Sequence, residues 1–575
     1  MKGALVDLSK REQTVTNPVA ALAGAAGTVA VMTLISRIFG FGRWLAQATW
    51  VGAGTVGNAY ASANQIPNVI FEVVVGGALA SITIPLLAQA IAGSLKDEVN
   101  RLASALFTWT LTLLVPLGLL VFVAAEPISA VLPVSVGSDI ATQNALTAYF
   151  LRVFALQIPL YGIAVVLGGI LQAHHRFAWP ALMPAFSSIV TIVAYAAYGA
   201  LSGSNPTEYT AIAALAWGTT AGVLVLSVPL FIPVWNVGVR LKLVWKMPRE
   251  QFRQALALGA YGIGALLAAQ GYMLATLFLT RWGGVEGTIN VFQYSQAIYL
   301  LPYALFTFPV ATVVFPLMTR HFAAGQTAKA GELATSSTAL IAGLSLLGVA
   351  GLIAVAPGMA AIFAWNRPIP GLEMAVVAMA PALVGYALLY HLSRVFIAVN
   401  RARHSFFAAL LGWGIAAVSG WLLILVLAPS RGNGVATLIA LGVGNALGMS
   451  AAGAYLLIVW GRLQVGSPVQ VLKALLIAVP GAVLGGVLGR LAYAGVTALD
   501  LPLGVLWATL GAGLVTVACA LPGLKIIATP FWKQTRSARH APETVETTEN
   551  LGKNPPSQNP LSAEPETERL EEGES

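Results

Sequence analysis

The chain has almost no cysteine and very little charge. A single cysteine, Cys519, among 575 residues excludes a disulfide framework and a thiolate metal site. Only 9% of the residues are Asp, Glu, Lys or Arg, against about 25% in a soluble domain, which excludes a soluble fold. Also missing are a Walker-type phosphate loop, a Gly-x-Ser-x-Gly elbow, a His-Glu-x-x-His pair and a Cys-x-x-Cys pair. Acidic residues within the apolar stretches are too few for a paired-carboxylate site or a multi-acid proton relay. The expectation is therefore no enzyme, no cofactor and no metal, with any driving energy coming from a gradient, the membrane potential or ions. His174 and His175 read as loop residues, because nothing supplies further metal ligands.

What the chain has is apolar length. Hydrophobic residues make up 57% and the mean hydropathy is +0.79. Runs of roughly 20 or more apolar residues mark membrane-crossing helices. Fourteen are expected, near 18–50, 57–92, 102–125, 141–173, 177–202, 209–235, 254–281, 287–319, 332–356, 372–400, 404–429, 434–461, 470–496 and 503–528. The fold class is all-α, a polytopic membrane protein of two six-helix lobes plus two C-terminal helices.

The formal net charge of +9 is carried mainly in connectors, which argues against nucleic acid as a partner. Even-numbered connectors hold Lys96, Arg101, Arg176, Arg240, Lys242, Lys246, Arg249, Arg253, Arg320, Lys329, Arg401, Arg403, Arg462 and Lys473, whereas odd ones hold little beyond Arg281, Arg367 and Arg431. The positive-inside rule then puts both termini in the cytoplasm. Residues 1–17 read as a cytoplasmic N-terminal segment, not a signal peptide. An N-lobe follows at 18–235, a basic cytoplasmic connector at 236–253, a C-lobe at 254–461 and two further helices at 462–532. Residues 533–575 begin basic, then turn acidic and Pro-rich, and are expected to be a disordered cytoplasmic tail.

The lobes show in the sequence as an internal repeat. NAYASANQIPNVIFEVVVGG from Asn58 overlies NVFQYSQAIYLLPYALFTFP from Asn290, and LQAHHRFAWPAL from Leu171 overlies FIAVNRARHSFF from Phe396. Parallel lobes of this kind place a substrate site between them near the midplane.

Arg37, Arg43 and Glu72 lie inside nearly continuous apolar sequence, from Val31 to Leu87. A charge at the bilayer centre costs at least ~2.5–3.5 kcal/mol and usually faces a partner or an aqueous cavity. Two arginines suit an anionic substrate, because the guanidinium fork donates paired hydrogen bonds and stays ionised. Six residues apart, they lie on faces ~120° apart unless the helix breaks, and Gly40 and Gly42 are candidate break points, as are Pro67, Gly76 and Gly77 in the second span. Glu72 is expected to pair with one arginine when the site is empty. Two readings compete with cargo binding: Arg43 snorkelling from a helix end, and Arg37 pairing with a backbone carbonyl. Arg152 reads as a snorkelling residue of the fourth span.

SRIFGFGR at Ser36–Arg43, NQIPNVIFEVVVGGALASITIPLL at Asn64–Leu87 and GILQAHHRFAWPALMP at Gly169–Pro184 together resemble the MurJ (MviN) family of lipid II flippases. That family belongs to the multidrug/oligosaccharidyl-lipid/polysaccharide exporter superfamily, and SRVFIAVNRARHS at Ser393–Ser405 adds to the likeness. The second segment looks most like the actinobacterial members. The resemblance implies movement of lipid II, the undecaprenyl-pyrophosphate-linked peptidoglycan precursor, to the outer leaflet of the plasma membrane by alternating access. It implies lipid II and membrane lipids as partners, and a groove for the lipid tail in the last two helices. Carried over by position, Ser36, Arg37 and Arg43 match the first-helix motif. Asn58 stands where many members have Asp, Glu72 where many have Arg, and Gln296 with Ala297 where many have an Asp-Arg pair. Substrate binding is expected at Ser36, Arg37, Arg43, Asn58, Glu72 and Gln296. Two alternatives stand beside this: an exporter of another polysaccharide-linked lipid, and a transport-inactive scaffold recruiting cell-wall synthesis proteins through the tail.

Overall fold

Pro18 opens the first helix, and the chain thereafter runs almost entirely from one long apolar helix into the next. The computed structural model describes residues 18–73, 87, 90, 91, 93, 96–246 and 249–540. In order, the helices are α1 (Pro18–Ala46), α2 (Thr55–Ile70), α3 (Lys96–Val123), α4 (Ile140–Ala173), α5 (Ala178–Ser202), α6 (Tyr209–Asn236) and α7 (Arg249–Gly283). They continue with α8 (Thr288–Ala323), α9 (Thr327–Phe363), α10 (the pair Leu372–Met379 and Ala382–Ala398, bent by 49°), α11 (Arg403–Leu427), α12 (Gly434–Arg462), α13 (Pro468–Thr497) and α14 (Gly504–His540). Among the described residues the only β pairing is an isolated bridge between Val136 and Val285.

Eleven of these helices are long and apolar enough to cross a membrane, or twelve with the bent pair of α10 taken as one. They coincide with the third to fourteenth expected spans. Helices α1 and α2 stand where the first two are expected, with most of the second half of α2's span, including Gly76 and Gly77, outside the described residues.

Local chemistry sets the helix boundaries. The Asp139 carboxylate accepts from Thr142 N at 2.8 Å and Asn433 Oδ1 from Ala436 N at 3.0 Å, so both act as N-caps. Ser467 caps α13 with Pro468 in its first turn. These side chains satisfy amides that a helix start leaves without partners. The corner after α4 puts His175 at φ 58°, and its repeat mate after α10, Asn400, sits at φ 56°. Each corner closes with the same bond, Arg176 N to Leu171 O at 2.8 Å and Arg401 N to Phe396 O at 2.7 Å. The repeat is thus preserved down to the backbone.

Two compact units result, residues 1–531 and 532–575. In the first unit, one hydrophobic core draws on residues between Tyr272 and Phe531 together with Ala48, while two others draw on residues between Ala46 and Val239. Small residues let backbones meet inside the second lobe. A Cβ at Gly448 of α12 would fall 2.2 Å from the Gly412 carbonyl oxygen of α11, the close approach that small-residue repeats permit. Arg490 of α13 binds Ile353 O at 3.2 Å and pairs with Glu373 of α10, tying the last helix pair to this lobe. In the second unit, residues 532–540 are helical. Of the expected tail at 533–575, residues 533–540 are helical and 541–575 lie outside the described residues.

The connector after α6 is not a free basic loop. Residues 239–246 run extended along α3, where Asn100 Oδ1, Ser104 Oγ and Thr108 Oγ1 accept from the amides of Arg240, Lys242 and Val244 at 2.9, 3.1 and 2.9 Å. The register has a simple cause. Four residues of helix rise about 6 Å and two of extended chain about 6.6 Å, so a polar stripe at every fourth position matches every second amide.

Candidate functional site between the lobes

One end of the first unit, here the upper end, gathers the connectors at 52–54, 132–139, 284–287 and 428–433. Val136 bridges Val285, Asn433 N donates to Gly283 O at 3.3 Å, and the Arg281 Nε–H donates to Pro133 O at 2.6 Å. Arg281 is fully buried, so it is not the exposed connector cation that its position suggested. The lobes meet closely here. Asn290 Nδ2 donates to Gly57 O at 3.0 Å and Tyr294 Oη to Gly52 O at 3.4 Å. Gly287, at φ +83°, packs so tightly that a Cβ would fall 1.9 Å from Ala53 O.

Below this seal lies a cavity of 820 Å³ lined by both lobes. Its wall reaches the lower ends of α4, α5 and α6 through Gln172, Pro180 and Leu230, and stops above at Gln47, Tyr60, Thr191 and Thr219. Buried hydrogen bonds close that roof: Tyr60 Oη to Tyr195 Oη at 2.9 Å and to Thr219 Oγ1 at 3.2 Å. Gln270, Met273, Gln293, Gln296, Ala297 and Leu300 form the second lobe's side.

Carboxamides dominate the chemistry of the wall. Gln47, Asn64, Gln65, Asn68, Gln172, Gln270, Gln293 and Gln296 line it, whereas Arg43 and Glu72 are its charged members. Each amide offers both donors and an acceptor. Such a wall fits a polar headgroup rich in hydroxyl and amide groups, with one cation for an anion. Gln293 Nε2 donates to Gln65 Oε1 across the lobes at 3.1 Å, and Tyr161 Oη to Asn68 Oδ1 at 3.2 Å.

Of the six residues singled out from sequence, four line this cavity: Ser36, Arg43, Glu72 and Gln296. Ser36 Oγ donates to Ala181 O at 2.5 Å, fastening α1 to α5. Arg43 places its guanidinium 5.7 Å from the centroid of the Trp44 ring. Asn58 is fully buried beside the upper seal, its Nδ2 3.4 Å from Ser135 Oγ, and does not reach the cavity. Arg37 also lies outside the lining and stacks on Phe308 of α8, 4.9 Å from its centroid.

The reason for that separation is helical continuity. The break expected at Gly40 and Gly42 does not occur: α1 is unbroken to Ala46 and only then widens into a π-turn at Gln47–Val51. The two arginines therefore keep different faces. The ion pair expected for Glu72 is likewise absent among the described residues, whose pairs are Arg101–Glu98, Arg152–Glu126 and Arg490–Glu373. Arg152, expected to snorkel, instead holds Glu126 at 2.5 Å. The sequence reading missed Gln47, Asn64, Gln65, Asn68, Gln172, Gln270 and Gln293, although a carboxamide inside an apolar span is itself a signal that the position faces a cavity or a partner.

Comparison with known proteins agrees with this architecture. The family model described as lipid II flippase MurJ matches residues 47–488. A probable lipid II flippase MurJ of Rhizobium meliloti is 26% identical over 417 residues, covering 71% of this chain and 76% of that protein. One from Rhizobium tropici is 28% identical over 284 residues, 48% of this chain and 51% of its own length. Among solved structures, lipid II flippase MurJ in an inward closed conformation superposes with a TM-score of 0.66 at 18% identity, covering 88% of this chain and 99% of that one. An inward-facing multidrug resistance MATE family transporter gives 0.61 at 16% identity over 76% of this chain and 98% of its own. With the family model spanning most of its length, this chain belongs to the MurJ family.

Proposed function

We propose that the protein carries lipid II, the undecaprenyl-pyrophosphate-linked peptidoglycan precursor, from the cytoplasmic to the outer leaflet of the plasma membrane by alternating access. The observation that carries this reading is an amide-lined cavity between two repeat-related lobes, sealed above and reaching the lower end, in a chain of the MurJ family. The lower end bears the arginine- and lysine-rich connectors, so the positive-inside rule assigns it, and both termini, to the cytoplasm.

On this reading the headgroup enters from below. The carboxamides exchange its hydration shell for fixed hydrogen bonds, and Arg43 takes a phosphate oxygen through its planar fork. Parting of the lobes above requires the Asn290–Gly57 and Gln293–Gln65 bonds to break. Transport follows from differential stabilisation of the two arrangements by the cargo, and the chemistry needs no covalent step.

Depletion of the protein in its host, followed by measurement of the precursor on each leaflet, tests the proposal. Accumulation on the cytoplasmic side, reversed by the wild-type chain, is the expected result. Unchanged distribution between leaflets rejects it. If growth fails on removal of 541–575 while the leaflet distribution stays normal, the tail serves as a platform for cell-wall synthesis proteins.

A further inference from the structure

Two arginines from different lobes reach one aromatic ring. Arg37 of α1 lies 4.9 Å and Arg394 of α10 lies 5.9 Å from the Phe308 centroid, and Arg394 also lies 4.2 Å from that of Tyr390. Arg394 Nη1 donates to Thr312 Oγ1 at 3.3 Å and Nη2 to Tyr390 Oη. Neither arginine enters any ion pair among the described residues. Aromatic faces attract cations but accept nothing from the in-plane guanidinium donors, of which Arg394 gives one to Thr312 and one to Tyr390, and two like charges on one ring repel each other until an anion joins them.

The surroundings say which anion. Phe308 stands twenty residues below the start of α8, roughly 30 Å along the helix, which matches the depth of the hydrocarbon core. Arg394 lies four residues from the lower end of α10. Ile38, Val313 and Ile397 around the pair are 61%, 61% and 49% exposed, an apolar surface of the kind that faces acyl chains. Arg37, Phe308 and Arg394 are all outside the cavity lining.

We propose that Arg37, Phe308 and Arg394 form a site for the phosphate of a membrane lipid, at the level of the lower leaflet's headgroups and outside the cavity. Its ligand is either a bulk anionic phospholipid or the pyrophosphate of a polyprenyl carrier, the shared chemistry being a phosphate oxygen held between two guanidinium forks. The site bridges the lobes, since α1 belongs to the first and α8 and α10 to the second, so a bound phosphate ties them together at their lower edge. The phospholipid source stands apart from the cargo assignment, whereas the polyprenyl source rests on it.

The test is native mass spectrometry of the purified full chain, titrated separately with phosphatidylglycerol and with undecaprenyl pyrophosphate. Arg37→Gln and Arg394→Gln should each weaken retention about tenfold, the scale of one lost charge-assisted contact. Arg394→Lys, which keeps a point charge, should retain more than Arg394→Gln at an equal melting temperature, separating binding from misfolding. Arg152→Gln, far from the ring, should retain both lipids fully. Loss confined to one lipid identifies the source, and loss of both assigns the site to lipid phosphates in general. Undiminished retention of both lipids by Arg37→Gln and Arg394→Gln overturns the proposal, as does an equal loss in Arg152→Gln.

Discussion

Gln293 of α8 donates its amide to Gln65 of α2 at 3.1 Å, one lobe to the other, within the wall of the central cavity. This bond, with Asn290 to Gly57 above it, cannot survive the parting of the lobes at the upper end. A net hydrogen bond contributes about 0.5–1.5 kcal/mol, so Gln293→Leu should shift the lobe equilibrium toward the upper-open arrangement roughly 2–10-fold. Spin labels at Asn205 and Trp365, in upper connectors of the two lobes, should report a larger long-distance population. An unchanged distance distribution would show that this bond does not restrain the lobes.

Gly287 supplies a second handle on the same seal. Its φ is +83°, and a Cβ would fall 1.9 Å from Ala53 O, a backbone atom that cannot step aside. Gly287→Ala should therefore force the 52–54 and 284–287 connectors apart, with increased labelling of a cysteine placed at Ala53. Protection equal to that in the parent would contradict the packing.

Arg43, not Arg37, is the first-helix arginine in the cavity. Arg43→Ala should insert in the membrane normally yet fail to complement a flippase-depleted strain. Glu72 has no ion-pair partner among the described residues, so Glu72→Gln should preserve the melting temperature within about 0.5 kcal/mol of stability. Growth supported fully by Arg43→Ala would remove Arg43 from cargo recognition.

The strap at 239–246 offers its own assay. Thr108→Val withdraws the acceptor for Val244 N, and an amide left without a partner costs about 1–3 kcal/mol. Trypsin cleavage at Arg240, Lys242 and Lys246 should accelerate in that variant. Equal cleavage rates would mean that the strap is held by other contacts.

Asp139 lies in a connector, and its hydrogen bonds from Thr142 hold its carboxyl below the usual aspartate range. A depressed folded-state pKa means the stabilisation is present above the ordinary value of about 3.9 and fades as pH falls through the lowered one. Asp139→Asn keeps the cap without the charge. Its melting temperature should fall short of the parent's at neutral pH, and the gap should close as pH falls through the lowered carboxyl value. A gap that stayed constant with pH would mean the carboxylate charge plays no part.

The sequence alone was enough for much of what depends on distance along the chain. Apolar length located the third to fourteenth spans, because lipid demands helices of a set length. The repeat was legible as well, and it led to corners that share a left-handed residue at His175 and Asn400. Which faces meet was decided by tertiary structure. Arg37 and Arg43 look equivalent in SRIFGFGR, but an unbroken α1 turns one onto Phe308 and the other into the cavity. Asn58 and Arg281 carry polar groups suited to a ligand or to solvent, yet both are sealed at the lobe junction. Spacing predicts a helical face only relative to its own axis, whereas the rotation of that axis against its neighbours is set by packing between residues hundreds of positions apart.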